Sequence, residues 1–293
     1  MRILITGAGG QLGKALQAAA AVAEHDCIFT DVVSDDNVSV LDVTDPVSVR
    51  GFIRDNGVEA IVNCAGYTDV ERAEDDVDKC GLINAYAPFV LAQAAKENDL
   101  LMVHISTDYV FDGKKNTPYS ENDVPSPLNV YARTKLEGEQ AVISSGCRYV
   151  ILRTAWLYSC YGRNFFKTIV ERTAEYPSMK VVMDQVGTPT YAPDLASAIL
   201  HILGTDLAGK EGIYNYTGDG VCSWYDFAVA IRDGVGHICN IAPCLSGDYP
   251  SKAVRPHYSV LDKSKVKETF GLMVPHWTES LRMCILDYDN VSL

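Results

Sequence analysis

The chain has 293 residues, of which 47% are hydrophobic and 22% charged, a balance typical of a globular protein with a large buried core. Its formal net charge of -13 disfavours general binding to nucleic acid or to an anionic membrane, because phosphate groups would be repelled. Nine cysteines without C-x-x-C spacing, an opening without an apolar signal core and the lack of a run of about 20 apolar residues predict a cytoplasmic protein.

The first half of the chain alternates between strand-like and helix-like segments. Short apolar runs predict strands at residues 2–6, 27–31, 60–66, 100–107 and 148–158. Helical propensity and N-terminal prolines predict helices at residues 11–25, 46–56, 80–98 and 126–145. The last of these is expected to begin with Ser126 as N-cap and Pro127 in the first helical position. This alternation predicts parallel strands joined by right-handed crossovers.

After about residue 155 the alternation becomes less regular. Helices are predicted near residues 164–175, 193–203, 223–234, 263–270 and 276–288. The sequence therefore predicts an α/β protein with a doubly wound (Rossmann) parallel sheet in residues 1–155. Residues 156–293 are expected to form a smaller C-terminal substrate-binding lobe, interleaved with the last sheet strands. Ligands of such sheets bind at the carboxyl ends of the strands.

The sequence TGAGGQLG joins the first predicted strand to the first helix. Gly7, Gly10 and Gly13 permit a tight turn, a close approach of the backbone to a pyrophosphate and close packing of helix on strand. The spacing is G-x-x-G-x-x-G rather than G-x-G-x-x-G, and a plain tight turn is the alternative. The context favours a dinucleotide site, because a strand precedes the turn and a helix follows it.

Asp31 ends the second predicted strand, eighteen residues after Gly13. A carboxylate at about this spacing binds the ribose hydroxyls of a dinucleotide. It would repel a 2'-phosphate, and Val32 and Val33 bring no arginine to offset that repulsion. The pattern favours NADH over NADPH, unless the side chain of Asp31 rotates away.

Two further loops follow predicted strands and are candidates for the dinucleotide cleft. Asp42 and Val43 stand where the loop could contact an adenine, although Asp42 could equally cap the next helix. Ala65 and Gly66 end the strand at 60–66 in small residues, so a cofactor could lie against their backbone.

Tyr131 and Lys135 are one helical turn apart in a segment that contains no helix breaker. Their head groups can therefore meet a shared ligand. A nearby ammonium lowers the pKa of a phenol and makes it a better acid-base group, and Lys135 could also bind the nicotinamide ribose. The same spacing recurs at Tyr176 and Lys180, but Pro177 breaks the helix there.

Ser106 and Thr107 end the predicted strand at 100–107. A hydroxyl at this edge can donate a hydrogen bond to a carbonyl oxygen as hydride reaches its carbon, although strand-end hydroxyls are often structural. The order of the motifs, a glycine-rich turn, a Ser-Thr strand end and a Tyr-x-x-x-Lys helix, is more informative than any one of them.

This ordered set resembles the extended short-chain dehydrogenase/reductase family, and the resemblance extends over nearly the whole chain. The stretches that carry it are TGAGGQLG, VNCAGYTDVERAE, HISTDYVFDG, SPLNVYARTKLEGE, RTAWLY, NFFKTI, DQVGTPT and VRP at 254–256. The resemblance implies reduction of the C4 ketone of dTDP-4-dehydro-L-rhamnose, a sugar nucleotide, by NADPH or NADH. It is compatible with a monomer or a homodimer.

The resemblance also implies roles for individual residues. Tyr131 would protonate the oxygen, Lys135 would tune Tyr131, and Thr107 would polarise the ketone. The residues argued above from the glycine-rich turn and the strand ends, together with those that the resemblance implies, form the predicted cofactor-binding set. This set is Gly7, Gly10, Gln11, Leu12, Gly13, Asp31, Asp42, Val43, Ala65, Gly66, Tyr67, Tyr131 and Lys135. The substrate-binding residues are Thr68, Thr107, Asp108, Trp156, Asn164, Gln185 and Arg255.

Several of the substrate-binding assignments have structural alternatives. Trp156 could be core packing, Asn164 a helix cap and Gln185 a loop hydrogen bonder. Arg255 would supply an acidic protein with a local fork-shaped donor for a nucleotide diphosphate. Arg163 and Lys252 could assist, unless they are solvated surface charges.

The sequence departs from the family at two positions. Some relatives carry a metal-binding acidic residue early in the first helix, where this chain has Lys14 and Ala15, so no metal is predicted. Tyr67 stands where close relatives often carry His, which could change the nicotinamide contacts.

Two rival functions share this motif set. One is a sugar-nucleotide epimerase or dehydratase that keeps its NAD, although dehydratases usually add acidic residues beside the threonine and here Tyr109 follows Asp108. The other is a non-catalytic NAD(P)-binding regulatory subunit, like the β subunit of methionine adenosyltransferase. Reduction is the prediction of first choice.

Overall fold

A computed structural model of the chain describes residues 1–21 and 25–292, the last two without their side chains. The strands are β1 (Arg2–Thr6), β2 (Asp26–Asp31), β3 (Val38–Val40), β4 (Ala60–Asn63), β5 (Leu101–Thr107), β6 (Arg148–Thr154), β7 (Leu157–Tyr158), β8 (Ser178–Val182), β9 (Val186–Gly187), β10 (Thr190–Tyr191), β11 (Gly212–Asn215), β12 (Cys222–Ser223) and β13 (Asn240–Cys244). The helices are α1 (Gln11–Ala20), α2 (Pro46–Asn56), α3 (Val70–Ala73), α4 (Val77–Gly81), α5 (Ala87–Glu97), α6 (Val130–Ser145), α7 (Phe165–Glu175), α8 (Ala192–Leu203), α9 (Trp224–Gly234), α10 (Ser264–Phe270) and α11 (Trp277–Ser292), with 3-10 turns at Asp108–Val110 and Ser246–Asp248.

Seven strands form one sheet in the order β11-β6-β5-β4-β1-β2-β3, and every neighbouring pair in it is parallel. The order 3-2-1-4-5-6 within this sheet is that of a Rossmann fold, and the predicted fold class is confirmed. The direction of winding reverses between β1 and β4, which is where such folds bind their ligands at the carboxyl ends of the strands.

Helices cover both faces of this sheet because alternate strand residues point to opposite sides. Ile3 and Ile5 of β1 belong to a buried layer with helices α1, α8 and α10. Leu4 of the same strand belongs to the opposite layer with helices α2, α5 and α6. The buried apolar side chains of these two layers drive the folding of the sheet.

The later part of the chain has a separate hydrophobic cluster, in which Tyr158, Phe166, Phe227 and Leu281 are buried. Helices α7, α9 and α11 contribute to it, beside the parallel pair of β8 and β13. Strand β11 leaves this region and joins the edge of the large sheet next to β6. Within the described residues, no helix has the length and apolar character needed to cross a bilayer.

Several predicted elements differ from the structure. The strand predicted at 60–66 ends at Asn63, so Ala65 and Gly66 belong to the following loop. The helix predicted at 80–98 contains a π-helical segment, Leu82–Tyr86, between α4 and α5. The strand predicted at 148–158 is interrupted after Thr154, because Trp156 adopts a left-handed conformation with φ 47°. The helix predicted at 11–25 ends at Ala20, and residues 22–24 lie outside the described part of the chain.

The predicted start of α6 is wrong. Ser126 does not cap this helix; its N–H donates to the carbonyl of Val110 at 2.7 Å. The N-cap is Asn129, whose Oδ1 accepts from the N–H of Ala132 at 2.8 Å. Asparagine is as good a cap as serine, and the choice between them depends on the path of the preceding loop.

Candidate active site

The glycine-rich turn packs directly against the end of β4. Gly7 has φ 69°, and a Cβ placed on it would lie 2.6 Å from the backbone nitrogen of Ala65. A Cβ on Gly13 would lie 2.4 Å from the carbonyl oxygen of Gly7, while Leu12 is buried in the core. Gly10 precedes α1 without a side-chain cap, so the first amides of this helix are open to an anion. These features fit a dinucleotide pyrophosphate.

The carboxylate of Asp31 lies beside the same turn. Its Oδ2 accepts a hydrogen bond from the N–H of Gly9 at 2.8 Å, and its Oδ1 accepts one from the N–H of Val32 at 2.7 Å. The structure therefore brings the end of β2 and the glycine-rich turn together, as a ribose site between them requires.

Asp42 and Val43 differ in their surroundings. The exposed Asp42 accepts hydrogen bonds at Oδ1 from the N–H and the hydroxyl of Thr44, at 2.9 and 2.7 Å. Val43 is buried in the core layer beneath the loop. The cap of α2 is Asp45 rather than Asp42, so the capping alternative for Asp42 is wrong.

The side chain of Gln11 connects the turn to the second half of the chain. Its Nε2 donates to the carbonyl of Leu157 at 3.4 Å, and its Oε1 accepts from the hydroxyl of Ser159 at 3.0 Å. The side chain of Gln11 is thus directed to the later segment of the chain. A pyrophosphate at the turn would meet the backbone of Gln11 rather than its side chain.

The loop after β4 is held by Asn84, which sequence reasoning missed. The Oδ1 of this fully buried residue accepts from the N–H of Tyr67 at 2.8 Å, and its Nδ2 donates to the carbonyl of Tyr67 at 3.0 Å. Gly66 and Thr68 on either side of Tyr67 are exposed. An asparagine inside the apolar helical stretch LINAY was the signal that could have revealed it.

Thr107 and Tyr131 meet at the carboxyl end of β5. The Thr107 hydroxyl acts to lower the pKa of the Tyr131 phenol, and the ring of Tyr109 lies edge-on to that of Tyr131 with centroids 6.2 Å apart. Thr107, which is 4% exposed, also donates to the carboxylate of Asp108 at 3.1 Å. The structure therefore brings together two of the three residues that were predicted to be catalytic.

Lys135 lies one turn along α6 and is only 6% exposed. Its Nζ donates to the carbonyl of Ile105 at 2.5 Å. Burial lowers the pKa of Lys135 to about 8, although the charge of Glu139 raises it. The ammonium thus lies beneath the strand end that carries Thr107.

The expected lowering of the Tyr131 pKa by Lys135 is not found. Burial raises the pKa of Tyr131 to about 12, against the lowering effect of its hydrogen bond with Thr107. The ammonium of Lys135 is instead bound to a backbone carbonyl. Desolvation of the phenolate outweighs any attraction from the cation.

Asp108 is a buried carboxyl group beside this pair. It is 2% exposed, and burial raises its pKa to about 7. Hydrogen bonds with Ser259 and Thr107 act in the opposite direction. Because Ser259 belongs to the later part of the chain, this carboxyl group lies where the two halves meet.

Trp156 is enclosed by its neighbours. Its indole stacks on Trp224, with ring centroids 3.5 Å apart and an interplanar angle of 9°. A Cβ on Gly187 would lie 2.7 Å from the same indole, which is partly exposed. The structure favours the packing alternative for Trp156, and no sequence signal pointed to Trp224.

Asn164 and Gln185 likewise have local partners. Asn164 caps α7, since its Oδ1 accepts from the N–H of Lys167 at 3.1 Å and its Nδ2 donates to the carbonyl of Ser159 at 2.8 Å. Gln185 donates from Nε2 to the hydroxyl of Ser246 at 2.9 Å. These contacts favour the cap and the loop hydrogen bonder over substrate ligands.

Arg255 reaches the site but already has an anionic partner. Its Nη1 lies 2.5 Å from the carboxylate of Glu71 and donates to the hydroxyl of Ser251 at 2.5 Å. Burial raises the pKa of Tyr109. The charge of Arg255 and its hydrogen bond act in the opposite direction. Arg255 is therefore held in place at the edge of the site.

The arrangement defines a class of protein. A Rossmann sheet with an open glycine-rich turn, a carboxylate after β2, and a Thr hydroxyl bound to a Tyr one turn before a buried Lys is that of a dinucleotide-dependent dehydrogenase or reductase of the short-chain type.

Comparison with known proteins shows the family. The chain belongs to the family described as the RmlD substrate binding domain, whose model matches residues 1–290. A dTDP-4-dehydrorhamnose reductase of Aggregatibacter actinomycetemcomitans is 37% identical over 291 residues, which are 96% of this chain and 97% of that protein.

Solved structures agree with this assignment. The crystal structure of a dTDP-4-dehydrorhamnose reductase from Clostridium acetobutylicum is 40% identical, with a TM-score of 0.92 over 100% of both chains. That of a dTDP-4-dehydrorhamnose reductase from Bacillus anthracis, in complex with NADP, is 35% identical, with a TM-score of 0.89 over 98% of this chain and 99% of the other.

Proposed function

We propose that this chain reduces the C4 ketone of dTDP-4-dehydro-L-rhamnose to dTDP-L-rhamnose by hydride transfer from NADPH or NADH. The observation that carries this proposal is that Thr107, Tyr131 and the buried Lys135 lie together at the sheet edge that also holds the glycine-rich turn. The activity in the names of the relatives supports the choice of substrate.

The dinucleotide would lie across the carboxyl ends of β1, β2 and β4. The amides at the start of α1 would bind the pyrophosphate, Asp31 the adenosine ribose and the loop from Ala65 to Thr68 the nicotinamide side. The backbone next to Asp42 and Val43 would contact the adenine. Both NADPH and NADH are proposed, since the relative from Bacillus anthracis was crystallised with NADP whereas Asp31 favours a free 2'-hydroxyl.

Each protein group then has a defined role in the reaction. When bound, the reduced nicotinamide supplies the hydride. Thr107 donates a hydrogen bond to the ketone oxygen, and Tyr131 delivers a proton to the same oxygen. With a pKa of about 12, Tyr131 is fully protonated at neutral pH and ready to act as the acid. Lys135 binds the nicotinamide ribose and stabilises the phenolate that proton transfer leaves behind.

The substrate would lie between the catalytic groups and the later half of the chain. We assign the Rossmann domain to residues 1–155 and the substrate-binding lobe to residues 156–293, with β11 returning to the sheet. Asp108 and Arg255 remain the proposed polar contacts of the sugar nucleotide. Trp156 would contribute only the edge of its stacked indole.

The two rival functions receive less support. A dehydratase needs an additional acid beside the threonine, but the position after Asp108 is occupied by Tyr109, which is 8% exposed and packed against Tyr131. A non-catalytic dinucleotide-binding subunit can keep the same residues, so the preference for a reductase rests on the activity in the names of the relatives.

The test is an assay of the purified chain with a panel of 4-keto sugar nucleotides, each combined with NADPH and with NADH. We expect oxidation of the reduced nicotinamide with dTDP-4-dehydro-L-rhamnose and identification of dTDP-L-rhamnose as the product. If the dinucleotide binds but its absorbance does not change with any ketone, the proposal fails in favour of a binding protein.

A further inference from the structure

Behind the catalytic groups lies a second set of polar side chains that the proposed reaction does not use. Glu139 forms a bidentate ion pair with Arg153, with distances of 2.9 Å to Nε and 2.7 Å to Nη2. The hydroxyl of Ser106 donates to Oε1 of Glu139 at 2.5 Å. The three residues are 1%, 2% and 3% exposed, and Phe111 covers the guanidinium at 5.1 Å.

These residues connect the elements that carry the proposed catalytic groups. Ser106 precedes Thr107 in β5, and Glu139 follows Lys135 by one turn of α6. Arg153 belongs to β6, the next strand of the sheet. The carboxylate of Glu139 is thus a junction at which α6, β5 and β6 are bonded to one another.

The charge of Glu139 also acts on Lys135. The titratable groups that influence Lys135 are Glu139 on its own helix, Cys64 after β4, Cys80 in α4 and His104 in β5. Burial raises the pKa of Cys64 to about 12 and raises that of Cys80, while it lowers that of His104, so these three are neutral near pH 7. Glu139 is the one carboxylate in this set, and it is paired with the guanidinium of Arg153.

We propose that Ser106, Glu139 and Arg153 form a positioning network that holds Thr107 against Tyr131 and keeps the buried Lys135 in its charged form. The proposal rests on the catalytic roles given above for Thr107, Tyr131 and Lys135. None of the three network residues contacts the place assigned to the ketone; they act through the groups that do.

Two substitutions break the same ion pair with opposite electrostatic consequences. Glu139→Gln keeps the shape of the side chain but removes the anion, and leaves the cation of Arg153 in place. The alkaline limb of the pH profile of kcat/KM should then move to lower pH by about one unit, because Lys135 loses its proton more easily. Arg153→Met removes the cation instead, so the alkaline limb should stay in place or move to higher pH.

A purely structural pair would respond differently. Glu139→Gln would then lower activity and thermal stability without a shift of the alkaline limb, or both substitutions would shift the limb in the same direction. Each of these results would overturn the proposal. Because breaking a buried pair can prevent folding, Ser106→Ala is the third variant. It removes one hydrogen bond and leaves the ion pair, and kcat should fall about threefold to tenfold with an unchanged dissociation constant for the dinucleotide. An unchanged kcat in Ser106→Ala would contradict the positioning role.

The pH dependence of dinucleotide binding is the second readout, because Lys135 is assigned to the ribose and binding requires no turnover. We expect Glu139→Gln to move the pH dependence of binding to lower pH. Arg153→Met should leave it in place or move it to higher pH. If the wild-type chain binds dinucleotide but reduces no ketone, the proposed function fails while the effect of the network on Lys135 is still measured.

Discussion

The guanidinium of Arg255 is paired with the carboxylate of Glu71, at 2.5 Å, across the two halves of the chain. Glu71 also accepts from the hydroxyl of Ser251 at 2.7 Å and from the N–H of Lys252 at 2.9 Å. The loop that carries Arg255 is therefore fastened to α3, next to the proposed site. A diphosphate that binds Arg255 must compete with Glu71 for the same donors.

Substitution of Arg255 by Ala should weaken the binding of the sugar nucleotide. A charge-assisted hydrogen bond contributes about 1.5–3 kcal/mol, so KM for the sugar nucleotide should rise about tenfold to a hundredfold. KM for the dinucleotide should not change. Glu71→Gln is the matched control, since it releases Arg255 and should leave KM for the sugar nucleotide equal or lower. Steady-state kinetics with each substrate varied would show this, and an increase of KM in both variants would instead indicate that the ion pair only holds the loop.

Tyr131→Phe should abolish most of the turnover while the dinucleotide still binds. The substitution removes the proton donor but keeps the ring that packs beside Tyr109. General acid catalysis contributes about a hundredfold to ten-thousandfold, so kcat should fall by at least about a hundredfold. The measurement is single-turnover reduction together with dinucleotide titration. Retention of the wild-type rate would remove Tyr131 from the reaction.

Asp108→Asn should change how stability depends on pH. Burial keeps the proton on Asp108 in the folded protein up to a pKa of about 7, well above the ordinary value of 3.8, so the folded protein binds more protons than the unfolded chain between these values. Stability of the wild type therefore decreases as pH rises through this range, by at most about 4 kcal/mol from this residue. Asparagine does not ionise, and the variant should gain stability relative to the wild type between about pH 4 and about pH 8. Urea unfolding at both pH values tests this, and parallel pH dependences would refute the assignment.

Asp31→Asn should shift the cofactor preference towards NADPH. Asparagine can still accept the hydrogen bond that Asp31 receives from the N–H of Gly9, so the turn should keep its shape. Loss of the negative charge relieves the repulsion of a 2'-phosphate, and about 1.4 kcal/mol of relief corresponds to a tenfold change. The ratio of kcat/KM for NADPH to that for NADH should rise about tenfold. An unchanged ratio would show that the 2'-position of the ribose does not lie beside Asp31.

The elements of the Rossmann half were predictable because their signals are local. The apolar run at 2–6, the following glycines and the proline at the start of α2 each act over one or two elements, and the structure has β1, the tight turn and α2 where they were expected. The errors occurred where a distant contact overrides a local preference. Trp156 interrupts the strand at 148–158, and its left-handed conformation accompanies a stack on Trp224 from the later part of the chain.

The sequence by itself determined the fold class, the open turn and the one-turn spacing of Tyr131 and Lys135, since periodicity, backbone freedom and helix geometry are properties of short segments. Only the tertiary structure decided that Lys135 is buried and bound to the carbonyl of Ile105, that Glu139 meets Arg153, and that Glu71 already occupies Arg255. Each of these pairs joins two different elements of the fold. Their protonation and charge depend on burial, and burial exists only once the sheet and its helices have packed.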